Sequence, residues 1–147
     1  MIKKILVATD ASAASNRAVS MAAYLAAKHD ATLLILHVIR DMQLPAKMKD
    51  APELEAFANK REDILRQVAE TILQEAEVRA KRDGAKDVQT AIGSGDPASS
   101  VIGFASRRNI DIIVIGTRGL GKAQELLMGS VSRKITNNAE ANCLVVR

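Results

Sequence analysis

The chain has 147 residues, of which 48% are hydrophobic and only 2% aromatic, and its formal net charge is +4. This length and apolar content favour one folded domain over a disordered chain. The scarcity of aromatic rings argues against a protein that binds single-stranded nucleic acid, because bases stack on such rings. Basic and acidic residues are interleaved along the chain, so the positive charge indicates a mixed surface rather than a nucleic-acid patch.

The sequence also argues against export and against insertion into a membrane. Cys143 is the single cysteine, so no intrachain disulfide can form, and its apolar neighbours favour a small buried side chain over a reactive thiol. The apolar run at the start is too short for a signal peptide. No apolar run approaches the length that crosses a membrane. We therefore expect a cytoplasmic protein that binds neither membranes nor nucleic acids.

The first part of the chain predicts two buried strands with a helix between them. Residues 2–8 are apolar and β-branched, and Ser12 or Ser15 can then cap a helix. Small apolar residues recur at helical spacing on one face of this helix, at Val19, Ala22, Ala23 and Ala26. Residues 32–39 form the second strand, and we interpret His37 within it as a buried histidine rather than a ligand.

A long amphipathic helix is predicted next, over residues 53–82. Residues 40–52 before it mix methionine, proline and charges, which indicates a flexible loop or a lid. Apolar residues form a stripe along the helix, at Leu54, Phe57, Ile64, Leu65, Val68, Ile72 and Ala76. Gly84 follows the helix and tolerates the left-handed backbone that often ends one.

The second half of the chain continues the alternation of strands and helices. Residues 88–92 form a less apolar strand, which suits a sheet edge, and Asp96-Pro97 is a strong helix start. Residues 112–115 are solidly apolar and indicate a buried parallel strand. A helix over 130–138 and a final strand over 144–146 complete the chain.

This alternation predicts an α/β fold, an open doubly wound sheet of five parallel strands with helices on both faces. We expect the Rossmann-like strand order 3-2-1-4-5 or its flavodoxin-like relative. Both orders place a ligand crevice beyond the carboxyl ends of strands 1 and 4, where Asp10 and Gly116 stand.

A glycine-rich segment follows the fourth strand and predicts a nucleotide site. Gly116, Gly119 and Gly121 come within six residues, and Gly129 directly precedes Ser130 and the last helix. Glycine lets backbone N–H groups approach phosphate, and a helix N-terminus supplies unpaired donors with a favourable dipole. Glycine chemistry and sheet topology therefore indicate the same crevice.

Two common nucleotide motifs fit this sequence poorly. Residues 116–123 nearly match the Walker A pattern, but Ala123 stands where that pattern needs serine or threonine for Mg²⁺. Residues 93–98 loosely match the dinucleotide fingerprint, although no suitable acid ends the next strand. We interpret that stretch as a turn with a helix cap.

The spacing Gly116-x2-Gly119-x9-Gly129-Ser130 resembles the ATP-binding signature of the universal stress protein family, G-2x-G-9x-G-(S/T). The resemblance covers the whole chain, including the first strand with its acid, the Leu-His-Val of the second strand and the Gly-Asp-Pro of the third loop. Two positions depart from the family pattern. Ala11 replaces the usual glycine after the acid, and Asn142-Cys143 stands where a proline is common.

The resemblance implies a set of adenine-nucleotide contacts. Asp10 would bind the ribose or the adenine edge, although it could instead cap the first helix, and the backbone of Val38 would bind adenine. Arg118 either reaches phosphate or faces solvent. The implied site residues are Ala8, Thr9, Asp10, Val38, Ile115, Gly116, Arg118, Gly119, Gly129, Ser130, Val131 and Ser132. In the family Mg²⁺ or Mn²⁺ sits mainly on the phosphates, and we assign no residue as a metal ligand.

The resemblance therefore implies a regulatory module in stress response that binds ATP, ADP or AMP and changes its contacts with a partner protein. We assign no catalytic residue, because the sequence offers no evident catalytic base. Slow ATP hydrolysis, self-phosphorylation on Ser130 or Ser132, and an adaptor with a vestigial site stay open as alternatives. The apolar last strand would be hazardous as an exposed edge, and family members pair it, so we expect a homodimer.

Overall fold

The computed structural model describes residues 1–41, 51–117 and 128–147, in which five strands alternate with four helices. The elements are β1 (Lys4–Ala8), α1 (Ala13–His29), β2 (Thr32–Ile39), α2 (Pro52–Arg82), β3 (Val88–Ser94), α3 (Pro97–Arg108), β4 (Ile112–Gly116), α4 (Ser130–Asn138) and β5 (Asn142–Val146). The predicted bounds of β2 and α4 are confirmed, whereas β3 runs further and β5 begins earlier than predicted. Most of the loop predicted at residues 40–52 lies outside the described residues.

The five strands form one parallel sheet in the order β3-β2-β1-β4-β5. This confirms the predicted doubly wound sheet and its order 3-2-1-4-5. Winding reverses at β1, where Val7 is in register with Ile35 of β2 on one side and with Val114 of β4 on the other. The carboxyl ends of these three central strands therefore meet at one edge of the sheet.

The two faces of the sheet form two separate layers of core. Alternate residues of a strand point to opposite faces, so Ile5 packs with one layer and Leu6 with the other. Helices α1 and α2 cover the first face, and α3 and α4 cover the second. The small face predicted for α1 is buried at all four positions, Val19, Ala22, Ala23 and Ala26. Small side chains there let the helix lie close to the strands.

Helix α2 lies on the sheet only in its second half. Its buried residues are Ala69, Leu73, Ala76 and Ala80, whereas Phe57, Ile64 and Val68 of the predicted stripe are 60%, 52% and 47% exposed. The reason is length, because a helix of 31 residues spans about 46 Å. The eight residues of β2 span about 26 Å. The first half of α2 therefore extends past the carboxyl edge of the sheet.

None of the helices in the described ranges combines the length and the apolar character needed to cross a membrane.

Candidate functional site

A cavity of about 900 Å³ opens at the carboxyl edge of the sheet, above the ends of β1, β2 and β4. Ten of the twelve predicted site residues line it, namely Ala8, Thr9, Asp10, Val38, Ile115, Gly116, Gly129, Ser130, Val131 and Ser132. The other two, Arg118 and Gly119, lie outside the described residues. The fold thus brings together residues from four elements that are far apart in sequence.

The N-terminus of α4 enters this cavity without a side-chain cap. Gly129 is the N-cap residue, and its own N–H donates to the carbonyl oxygen of Thr117 at 2.7 Å. The N–H groups of Ser130, Val131 and Ser132 form no hydrogen bond with the described part of the chain. Three unpaired donors and the positive end of the helix dipole therefore face the cavity, an arrangement suited to an anion.

The side chain of Ser132 is occupied by the fold. It is buried, and its hydroxyl donates to the carbonyl oxygen of Gly116 at 2.7 Å. This bond fixes the first turn of α4 against the end of β4. Ser130, in contrast, is exposed, so of these two serines only Ser130 has a hydroxyl at the surface of the cavity.

The packing of α1 against β4 requires glycine at position 116. A Cβ built on Gly116 would lie 2.8 Å from the backbone carbonyl carbon of Ala14 and 3.0 Å from its Cβ. The first turn of α1 can approach β4 this closely only because Gly116 has no side chain. The sequence indicated a glycine that approaches phosphate, and the structure adds a contact between helix and strand.

The loop after β1 holds Asp10 at the cavity. One carboxylate oxygen of Asp10 accepts from the N–H of Ser12 at 3.0 Å, and the other forms no hydrogen bond with the described residues. The N-cap of α1 is Ser12, whose hydroxyl accepts from the N–H of Ser15 at 3.1 Å. Asp10 is therefore not the helix cap. Ala11 between them has a φ of 65°, a left-handed conformation that glycine adopts more easily.

His37 also lines the cavity, which the sequence analysis did not predict. Its Nδ1 lies 2.8 Å from the carbonyl oxygen of Thr9. The interpretation as a buried core histidine is wrong in part, because the ring is only half-buried. His37 stands near the carboxyl end of β2, where the side chains of the sheet border the cavity.

Further residues that line the cavity were not predicted as site residues. They are Ser15, Leu36, Arg40, Val68, Ile72, Pro97, Val101, Met128, Arg133 and Ile135. Arg40 and Arg133 add positive charge to the cavity. Asp10 is the only carboxylate in the described lining, so positive charge is in excess. The sequence placed Val68 and Ile72 on an apolar stripe, but their position at the cavity depends on where α2 crosses the sheet edge.

A charged contact joins the two helices beside the cavity. Asp96 is the N-cap of α3, and one of its carboxylate oxygens accepts from the hydroxyl and the N–H of Ser99 at 2.7 and 2.9 Å. Lys134 of α4 lies 2.9 Å from the same oxygen. The Ser99 hydroxyl first, and then the Lys134 ammonium, hold the pKa of Asp96 well below its usual value. With Gly95 at a φ of 105°, the stretch 93–98 is the predicted turn and cap.

The described residues contain no group of three His, Cys, Asp or Glu side chains that could hold a metal ion.

The chain is similar to known proteins over its whole length. A sequence model described as "Universal stress protein family" matches residues 1–147. The chain belongs to the universal stress protein family. Universal stress protein YxiE of Bacillus subtilis is 30% identical over 149 residues that cover 100% of both chains.

Solved structures of universal stress proteins share the fold. The universal stress protein UspA from Lactobacillus plantarum is 25% identical, has a TM-score of 0.86, and matches over 99% of this chain and 97% of its own. A universal stress protein crystallised in complex with cAMP is 28% identical, with a TM-score of 0.71 over 99% of this chain and 96% of its own. The five-stranded order 3-2-1-4-5 is thus the universal stress protein fold.

Proposed function

We propose that the chain acts as one adenine-nucleotide-binding domain, a regulatory module in stress response whose contacts with a partner protein depend on the bound nucleotide. The observation that carries the proposal is the uncapped N-terminus of α4, which presents to a large cavity three N–H groups that have no partner among the described residues. The N–H groups at a helix N-terminus have no partner within the helix and need a ligand, water or a side chain to satisfy them. A phosphate group satisfies all three and complements the helix dipole.

The order of the strands supports one orientation of the proposed nucleotide. Neighbouring strands lie about 4.8 Å apart, so β4, β1 and β2 divide the cavity into three successive positions. Phosphate belongs over β4, at the N-terminus of α4. Ribose then lies over β1, where the free oxygen of Asp10 can accept from a hydroxyl group. The base comes over β2, beside the backbone of Val38.

The choice of adenine rests on the relatives. One universal stress protein of known structure, 28% identical to this chain, was crystallised with cAMP, an adenine nucleotide. The cavity suits such a ligand in size, because sites for small molecules and cofactors measure roughly 300–1,000 Å³. We propose ATP, ADP or AMP as ligands, with Mg²⁺ or Mn²⁺ held by the phosphate oxygens rather than by protein carboxylates.

We propose binding rather than rapid turnover. The only carboxylate in the described lining is Asp10, and one of its oxygens already accepts from the loop backbone. Self-phosphorylation stays an alternative at Ser130, whose side chain is exposed. Ser132 is a poor acceptor because its hydroxyl is buried and donates to Gly116.

We also propose a homodimer formed through β5. This strand pairs only with β4 among the described strands, so its other edge is unpaired. Its residues Cys143, Leu144, Val145 and Val146 are apolar and half-buried. An unpaired apolar edge favours pairing with a second strand.

The central test places a negative charge at the phosphate position without weakening the helix. Ser130→Asp puts a carboxylate in the first turn of α4, where it stabilises the helix but repels phosphate. Asn137→Asp makes the same change of charge at the exposed far end of α4 and is the matched control. Calorimetric titration with ATP, ADP and AMP should show binding to the wild type and to Asn137→Asp, and binding at least tenfold weaker to Ser130→Asp.

A second readout is the nucleotide that copurifies with the protein. Mass spectrometry of the denatured wild type should identify an adenine nucleotide that Ser130→Asp lacks. If Ser130→Asp and Asn137→Asp bind the nucleotides with equal affinity, the N-terminus of α4 is excluded as the phosphate site. Absence of any binding to the wild type would leave the adaptor alternative.

A further inference from the structure

The base end of the proposed site carries a polar side chain with one unused nitrogen. His37 stands on β2, directly before Val38, and lines the cavity. On the strand it shares a face with Leu33 and Ile35, which pack in the core layer under α1 and α2. Its ring therefore projects to the α2 side of the base position.

The hydrogen bond to Thr9 fixes the tautomer of the neutral ring. A backbone carbonyl oxygen only accepts, so the Nδ1 that lies 2.8 Å from the Thr9 oxygen must carry the proton. In a neutral imidazole the second nitrogen, Nε2, is then an acceptor. Nε2 forms no hydrogen bond with any described residue.

The surroundings of the ring suit a flat heteroaromatic base. Val68 and Ile72 of α2 line the same cavity on the side to which His37 projects. Both side chains are apolar, so they offer contact to the face of a base but no hydrogen bond. The acceptor on His37 is then a polar atom on this side that can distinguish one base from another.

We infer that His37 determines the base specificity of the site, with Nε2 accepting a hydrogen bond from the exocyclic amino group of adenine. The inference rests on the proposed function, since the base reaches β2 only when phosphate lies at α4. A purine that lacks the amino group leaves Nε2 without a donor, and the buried acceptor then costs affinity.

The test separates the two nitrogens of the ring. In His37→Asn the side-chain amide can still donate to Thr9 from the position of Nδ1, but no atom replaces Nε2. His29→Asn is the control, because His29 is the only other histidine and is exposed at the end of α1. Calorimetry compares AMP with purine riboside 5′-monophosphate, which differs from AMP only in lacking the amino group.

We expect the wild type and His29→Asn to bind AMP about fivefold more tightly than the analogue, the value of one net hydrogen bond. In His37→Asn the two ligands should bind equally, because the acceptor that AMP satisfies and the analogue leaves unpaired is gone. A preference for AMP that persists in His37→Asn would overturn the inference, and so would equal affinities in the wild type. If neither ligand binds the wild type, the proposed function fails and the inference fails with it.

A spectroscopic measurement keeps the test independent of how well His37→Asn folds. In wild-type protein with ¹⁵N-labelled histidine, the Nε2 resonance of His37 should shift when AMP is added and stay unchanged with the analogue. An Nε2 resonance that AMP does not move would overturn the inference.

Discussion

The hydroxyl of Ser132 donates to the carbonyl oxygen of Gly116 at 2.7 Å, and this buried bond joins the first turn of α4 to the last residue of β4. The donors of α4 are therefore held at a fixed position relative to the sheet. Any ligand at the helix N-terminus binds to a site that is already in place, which reduces the entropy lost on binding.

Replacing Ser132 by alanine should lower the free energy of unfolding by about 1–2 kcal/mol, because the carbonyl oxygen of Gly116 loses its donor in a buried position. The measurement is urea unfolding followed by circular dichroism. Ser130→Ala is the control, since that side chain is exposed, and its effect should stay below about 0.5 kcal/mol. Equal midpoints for the two variants would contradict a structural role for Ser132.

Replacing Gly116 by alanine should destabilise the protein by about 1–3 kcal/mol, the usual cost of overpacking. The new Cβ would lie 2.8 Å from backbone of Ala14, which can only yield if α1 moves. Gly93→Ala is the matched change at a strand glycine, where the nearest atom is a side-chain carbon of Val38 at 3.4 Å. Thermal unfolding of both variants checks the difference, and a milder effect at Gly116 than at Gly93 would refute it.

Replacing Ala11 by glycine should stabilise the protein by about 0.5–1 kcal/mol. The left-handed φ of 65° at Ala11 costs an L-residue about 1–2 kcal/mol, and the greater freedom of glycine in the unfolded chain offsets about 0.4–1 kcal/mol of that gain. Ala13→Gly, the same change at the start of α1, should instead destabilise by about 0.5–1 kcal/mol. Urea unfolding measures the difference: the denaturant midpoint should be higher than that of the wild type for Ala11→Gly and lower for Ala13→Gly.

The contact of Asp96 with Ser99 and Lys134 should make stability depend on pH in the acid range. The folded pKa of Asp96 lies below its ordinary value of 3.8, so its carboxylate contributes stability that is fully present above that value. The contribution is lost as pH falls through the lowered pKa. Asp96→Asn keeps a good N-cap residue but removes this charge.

Unfolding experiments at several pH values test this dependence. Asp96→Asn should be less stable than the wild type at pH 7, and the gap should narrow below pH about 4. Lys134→Gln removes a partner of the carboxylate, so it should raise the pKa of Asp96. In the Lys134→Gln background, Asp96→Asn should therefore cost less stability at pH 7 than it does in the wild type. A gap between wild type and Asp96→Asn that stays constant down to pH 2 would exclude the carboxylate as its source.

Proline at Val145 should abolish the proposed dimer and leave the fold intact. Thr117 donates its N–H to the carbonyl oxygen of Val146, so Val146 faces β4. Successive residues of a strand direct their backbone groups to opposite sides, and the N–H of Val145 therefore points away from the sheet. Proline is tolerated where the N–H of an edge strand is free. Light scattering should give a dimer for the wild type and a monomer for Val145→Pro.

The opposite edge of the sheet supplies the control. The carbonyl oxygen of Asp87 accepts from Leu33 of β2, so by the same alternation the N–H of Thr90 on β3 points outward. Thr90→Pro should remain a dimer. A monomeric wild type, or a dimer that survives Val145→Pro, would exclude β5 as the interface.

The strand order followed from the sequence because it depends on local patterns, whereas the resemblance to the universal stress protein family supplied most of the predicted residues that line the cavity. Apolar runs that alternate with helical periods specify parallel strands, and the crevice then falls where winding reverses. Asp10 and Ser130 could be assigned to it because each stands directly after a strand or at the start of a helix.

Other features depend on how the elements meet in space, which no local pattern encodes. Val68 belongs to the cavity only because α2 extends past the sheet, and the apolar stripe of this helix does not indicate where the sheet ends. The contact of Gly116 with Ala14 and the use of the Ser132 hydroxyl both require knowledge of how closely a helix approaches β4. His37 lines the site because its position near the carboxyl end of β2 places it beside the cavity, a position that depends on how α2 crosses the sheet edge.

The overhang of α2 gives one continuous helix two levels of local stability. Its second half can open only if the core around Leu73 opens, whereas the exposed first half is held mainly by its own backbone hydrogen bonds. Val68 and Ile72 stand where these two regimes meet, at the wall of the cavity. A base bound in the proposed site would pack against them and stabilise the helix there, so we expect nucleotide binding to increase the helical order of the exposed first half of α2.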